Sequence, residues 1–222
     1  MQKTIKLFSL VIALAALATQ AVAQPVAEHF YLMTFAYQSE TDIRQAHTYA
    51  QFVHATGRDS RPGSPTLDDA SQWDTEAVTI SWLPRELPMC ISCPPVPGHN
   101  YTLPETFRIG IAAGARLWQL PSIEVSRALY ENAVAHAYNL ERGTQWVTLD
   151  INTRPQAVNC LHAVSDVNTV SGPLYSGFAH GVPGSQAALR HLAVYEVPGA
   201  PSPRWLDERF GLQREPLNHA GR

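Results

Sequence analysis

Two ring-rich runs near the start of the chain constrain its fold most. His29 to Gln38 reads HFYLMTFAYQ, and His47 to Thr56 reads HTYAQFVHAT. Short aromatic and β-branched runs bounded by polar or Gly residues are strand signals. The polar stretch Ser39-Glu40-Thr41-Asp42 follows the first run, and Gly57 ends the second. Side chains alternate across a strand, so His47, Tyr49, Gln51 and Val53 share one face, and Ala50, Phe52 and His54 the other. A third run, Glu76 to Leu83 (EAVTISWL), is closed by Pro84. It sets Glu76, Val78, Ile80 and Trp82 against Thr79 and Ser81. The clearest helix spans Ile123 to Leu140, with Ser122 able to cap it and Gly143 able to end it. Leu129, Ala133, His136 and Leu140 form its stripe, widened by Ile123, Tyr130, Val134 and Ala137. The expected fold is therefore α+β: a small antiparallel sheet packed against two or three helices.

The rest of the chain fills in around that frame. Lys3 and Lys6, the apolar run from Leu7 to Ala18, and Ala21-Val22-Ala23 form a three-part signal peptide pattern. Cleavage is expected after Ala23, leaving residues 24–222 as one α+β domain, periplasmic or secreted. The apolar run of about twelve residues is too short to span a bilayer comfortably, and no later segment reads as transmembrane. Both lysines lie in this start, so the remainder carries only arginine as a strong cation, set against 19 acidic residues. No arginine cluster forms a basic track, which argues against a nucleic-acid partner, and a monomer is expected. Arg85 to Pro104 is rich in Pro and Gly and reads as a loop insertion. Phe107 to Ala115 reads as either strand or loop. Thr144 to Ile151 reads as extended, Ser185 to His191 as a short helix, Leu192 to Val197 as a strand, and Trp205 to Leu212 as a final short helix.

The cysteines carry the chemistry. There are three, Cys90, Cys93 and Cys160, an odd count for an exported chain. The simplest arithmetic pairs Cys90 with Cys93 in a disulfide and leaves Cys160 free. The Cys90-Ile91-Ser92-Cys93 spacing is also that of a redox motif, but Pro94, Pro95 and Pro97 oppose the helix such a motif needs. A metal site using these cysteines and His99 lacks a full ligand set; no metal and no cofactor is expected.

Cys160 sits in PQAVNCLHAVSDVN, residues 155–168. In one register Asn159 caps a helix and Cys160 is its first residue, where free N–H groups and the helix dipole favour a thiolate. In the other, the helix starts near Thr153, and Cys160 packs with Ala163, Val164 and Val167. A nucleophilic thiol needs a base and oxyanion donors. His47, at the mouth of its strand, is the candidate base. His162 points away from Cys160 and can pair with Asp166. Glu76, Thr79 and Ser81 are candidates to orient the imidazole, and Gln38 can donate to an oxyanion.

Strand-His, a strand with a polar residue, then Asn159-Cys160-Leu161-His162 on a helix: this order resembles the circularly permuted papain-like proteins of the NlpC/P60 superfamily, in particular the lecithin retinol acyltransferase-like group. That group carries a strand His and an Asn-Cys-Glu-His-Phe helix motif. Leu161 and Ala163 stand here in place of its acidic and aromatic residues. The resemblance runs from His47 to Asp166. It implies cleavage or transfer of an amide, ester or thioester through an acyl-enzyme, with Cys160 as nucleophile and His47 as general base. Envelope peptides suit the expected compartment as substrates; acyl or ester substrates suit the motif. The rival reading is a noncatalytic envelope or binding protein on the same scaffold, with Cys160 buried and structural.

Overall fold

The computed structural model describes residues 27–42, 45–58, 69–87, 94–147, 157–175 and 180–221. The signal-like start, with the expected cleavage point at Ala23, lies outside these residues, as do Cys90 and Cys93. In chain order the elements are β1 (Glu28–Gln38), β2 (Ala46–Gly57), β3 (Trp73–Ile80), β4 (Trp82–Pro84), β5 (Val96–Asn100), α1 (Leu103–Ala112), β6 (Arg116–Gln119) and β7 (Ile123–Val125). Then come α2 (Arg127–Glu141), β8 (Gln145–Trp146), β9 (Ala157–Val158), α3 (Cys160–Ser165), α4 (Gly181–Leu192), α5 (Trp205–Arg209) and β10 (Leu217–His219).

The two ring-rich runs are the centre of the main sheet. β1 and β2 pair antiparallel without a bulge, from Glu28↔Thr56 to Gln38↔Ala46. β3 adds to β2. β6 and β7 share the other edge of β1, and β10 runs parallel to β6. A smaller sheet follows the order β4-β5-β8-β9, with β8 and β9 parallel. The architecture is α+β, but the sheet is mixed, not purely antiparallel, because the last strand returns beside β6 in the same direction.

Four segments depart locally from the sequence expectations. The run from Glu76 to Leu83 is broken at Ser81 into β3 and β4, which belong to different sheets. There the Ser81 N–H donates to Asn100 Oδ1 at 2.7 Å, and its carbonyl accepts from the Tyr101 N–H at 3.0 Å. Phe107 to Ala115 reads as either strand or loop, but its first part belongs to α1, Leu103–Ala112. Glu105 accepts from both the N–H and the hydroxyl of Thr102, at 2.9 and 2.7 Å, and Pro104 sits in the first turn, where its missing N–H costs nothing. The helix expected from Ile123 begins instead at Arg127 behind Ser126. Ile123 and Val125 are β-branched and pair with β1. Likewise, the strand expected over Leu192–Val197 is the end of α4 followed by a 3₁₀ turn, Ala193–Tyr195.

The expected disulfide is corrected. Among the described residues no two sulfurs lie at bonding distance, and Cys160 is a free, buried thiol. Among the described residues no helix is long and apolar enough to cross a membrane.

The main sheet separates two apolar layers. On one face Leu32, Ala50, Phe52 and Ile80 pack with Leu129, Ala133 and Leu140 of α2, Leu161, Ala163 and Val164 of α3, and Ala188, Leu189 and Leu192 of α4. On the other, Tyr31, Met33, Phe35, Tyr37, Tyr49 and Val53 pack with Leu103 and Phe107 of α1 and with Trp205 and Leu206 of α5.

Candidate active site

The Asn159 cap selects between the two registers read from the sequence. Its side chain accepts from the His162 N–H at 2.8 Å, and Cys160 is the first residue of α3. An Asx cap at this point fixes the helix start, because it satisfies an N–H that the first turn otherwise leaves free. Cys160 is 6% exposed. Burial pushes its thiol up to about 11, while the backbone N–H groups of Thr48, Leu161 and Cys160 pull the other way. Thr48 lies on β2 beyond the last β2–β3 pair, Ala50↔Ile80.

His47 immediately precedes Thr48 and is fully buried. Its ring stacks on Tyr49 with centroids 5.2 Å apart and lies 5.1 Å from the Tyr37 ring. The Nε2 atom is 2.9 Å from Ser81 Oγ, and Ser81 Oγ is 2.7 Å from Thr106 Oγ1 of α1. The other nitrogen, Nδ1, has no hydrogen-bond partner, so it is not bonded to the Cys160 sulfur. Burial alone pushes the imidazole down to about 3. Thiol and imidazole are both neutral near pH 7. Tyr37 lies close to both groups: its phenol is driven upward by burial first, then by the Cys160 and Tyr101 charges.

The remaining sequence candidates separate clearly. Ser81 touches His47. Gln38 lies at the end of β1, and its Oε1 accepts from the Val182 N–H at 3.2 Å. A Cβ on Gly181, whose φ is +60°, would meet that same oxygen at 2.5 Å. The Gly181 carbonyl in turn accepts from Thr48 Oγ1 at 3.3 Å, which links Gln38 to the Cys160 neighbourhood. Glu76 is a correction: it is exposed and stands opposite His54, seven residues along β2 from His47, roughly 23 Å at strand rise. Thr79 is opposite Gln51 and is also displaced from the imidazole. His162 has Nδ1 2.9 Å from Asn159 Oδ1 and Nε2 2.9 Å from the Leu174 carbonyl. It braces the start of α3.

Sequence reasoning missed Thr48 and Thr106. Nothing in the chain singles out Thr48, because its role comes from a backbone N–H. Thr106 was recoverable only by recognising Thr102-x-x-Glu105 as a helix start. Among the described residues no group of three or more His, Cys, Asp or Glu side chains converges as metal ligands. A cavity of about 170 Å³ beside Gln119, Ser202 and Asp207 contains none of the residues above.

No family model, no curated protein and no solved structure matches the chain.

Proposed function

We propose that this chain is an exported thiol-dependent hydrolase or acyltransferase on the permuted papain-like plan, acting on an amide or ester of an envelope peptide or acyl compound. The observation that carries this reading is the place of Cys160 as first residue of α3, behind the Asn159 cap. The Thr48 N–H favours its thiolate, and the residue before Thr48 is an imidazole tethered through Nε2 to Ser81. In the proposed reaction His47 Nδ1 accepts the Cys160 proton as sulfur attacks the acyl carbon. Starting from a neutral thiol and a neutral imidazole suits a general-base step. The oxyanion would be met by N–H groups at the start of α3 and by the Gln38 amide, whose carbonyl end is held by Val182. His47 then returns the proton to the leaving amine or alcohol. Water or an acceptor hydroxyl attacks the thioester, and its proton returns to sulfur through His47.

A second reading is favoured by a specific observation: both groups are sealed from solvent, and Cys160 and His47 share no hydrogen bond. On that reading the protein is a noncatalytic exported binding or envelope protein, with Cys160 as a small core hydrophobe. Alkylation decides between them. Cys160 should react with iodoacetamide in the native protein near pH 7, and the rate should drop in His47→Ala, with folding confirmed by near-UV circular dichroism. Labelling only after unfolding would sink the enzyme reading.

A further inference from the structure

We propose that the cleft between α5, β6 and β10 binds a small free α-amino acid, with its ammonium on Asp207 and its carboxylate on Arg204. The site is separate from Cys160 and does not depend on the thiol chemistry. It lies on the ring-layer side of the main sheet. Leu117 of β6 packs in that layer, and Gln119, two residues on, projects to the same face. β10 sets His219 opposite Gln119, and the Ala220 N–H donates to the Gln119 carbonyl at 3.0 Å. Asp207 comes from α5, whose Trp205 and Leu206 are anchored in the same layer. The segments carrying Ser122 and Ser202 close the side, where the Ser202 hydroxyl donates to the Ser122 carbonyl at 3.4 Å. The cavity between them is about 170 Å³.

The charges in this cleft are placed but not spent. Gln119 is 5% exposed, and its Nε2 donates to Asp207 Oδ1 at 2.8 Å. A buried amide thus fixes the carboxylate and occupies one oxygen; among the described residues Oδ2 has no protein donor. Arg204 and Asp207 lie three apart on one helical turn, where the Asp207 N–H donates to the Arg204 carbonyl at 3.2 Å. Side chains at that spacing are neighbours. Yet among the described residues neither the Arg204 guanidinium nor the His219 imidazole has a protein partner. An α-amino acid carries its two charges on one carbon and matches both groups at once. Its carboxylate suits the planar fork of the guanidinium, and its ammonium suits the unused Asp207 oxygen. The other ligand classes fail on the same chemistry. An inorganic anion would meet Asp207, and a metal cation would meet Arg204. A sugar would answer neither charge, and no Phe, Tyr or Trp lines the cleft for it to stack on. Size narrows the choice further. Pockets for drug-sized ligands run to roughly 300–1,000 Å³, whereas a cavity of about 150 Å³ admits benzene, so this one excludes a nucleotide or an acyl chain and admits a small amino acid.

The test is a ¹H–¹⁵N NMR titration of the folded chain with L-alanine and L-serine. The Gln119 side-chain amide and the Arg204 Nε–H should both shift, with saturation by about 10 mM. N-acetyl-L-alanine lacks the ammonium and L-alaninamide lacks the carboxylate, so each should bind about 10-fold or more weaker, the loss of one charge-assisted contact. Asp207→Asn and Arg204→Gln should weaken L-alanine by a similar factor, with folding checked by near-UV circular dichroism. Arg204 is exposed, so its replacement leaves the fold in place and carries the test even if Asp207→Asn does not fold. No shift with either amino acid overturns the proposal. Binding of the acetyl or amide compound as tight as L-alanine overturns it too, since the ligand is then a peptide end. Unchanged affinity in a folded Arg204→Gln places the ligand elsewhere and overturns it as well. Cys160 alkylation is untouched by any of these outcomes, so the two readings stand or fall separately.

Discussion

The two faces of the main sheet are built from different materials, and each supplies one half of the candidate site. The face under α2, α3 and α4 is largely aliphatic and supplied by helices, with Leu129, Leu161, Val164 and Leu189 against Leu32 and Phe52. The opposite face is a layer of rings. Phe35 stacks on Tyr49 at 5.5 Å, Tyr49 on His47 at 5.2 Å, and Trp73 on Trp205 at 5.9 Å. Cys160 belongs to the helical layer and His47 to the ring layer. Between them in the chain register stands Thr48, beyond the last β2–β3 pair Ala50↔Ile80, whose N–H favours the Cys160 thiolate. The difference explains why the imidazole is held neutral. A His packed in a ring stack has exchanged water for aromatic faces, and that environment disfavours the charged form.

The aliphatic layer should show the largest response to substitution. Leu161→Ala, at a side chain 1% exposed next to Cys160, should cost about 2–5 kcal/mol of unfolding free energy in urea titration. A loss under about 1 kcal/mol would mean that α3 is not anchored in this layer. The ring layer should respond to pH instead. His47 has its folded pKa lowered from 6.5 to about 3, so between those values the unfolded chain binds the extra proton. Stability from this group is complete above pH 6.5 and is lost as pH falls toward 3, at up to about 1.4 kcal/mol per pH unit. Denaturant midpoints measured from pH 7 to pH 4 should show this slope, and His47→Gln should flatten it. An equal slope in the variant would assign it to other groups and break the contrast between the layers. The smallest effect is expected at Tyr49, whose hydroxyl is buried without a partner. Tyr49→Phe should be neutral or stabilising by up to about 1 kcal/mol. A clear loss in thermal unfolding would reveal a hydrogen bond, such as one to a bound water, inside the ring layer.

Much of the first layer of inference was readable because it depends on local periodicity. The β1 and β2 runs, the alternation that puts His47 with Tyr49, and the Asn159 cap are short-range signals carried by neighbouring residues. Other features depend on partners distant in the chain. Ser81 breaks a strand because Asn100 and Tyr101, 19 and 20 residues later, take its backbone polar groups. Ile123 and Val125 look like a first helical turn until β1 offers them a ladder. Glu76 looks like an orienting carboxylate until register places it beside His54. Period-two alternation fixes which face a residue takes, but not how far along the neighbouring strand it lands.

The sequence by itself determined the central strand pair and the side of β2 from which the imidazole projects, and it offered Asn159 as one of two starts for the Cys160 helix. These follow from side-chain alternation and from capping chemistry, both of which operate over a few residues; the structure chose the Asn159 start. Only the tertiary structure decided that Ser81 rather than Glu76 meets the imidazole and that Thr106 stands behind it. Those contacts join residues 25 and 34 positions apart, and the packing of whole layers decides which of them can meet.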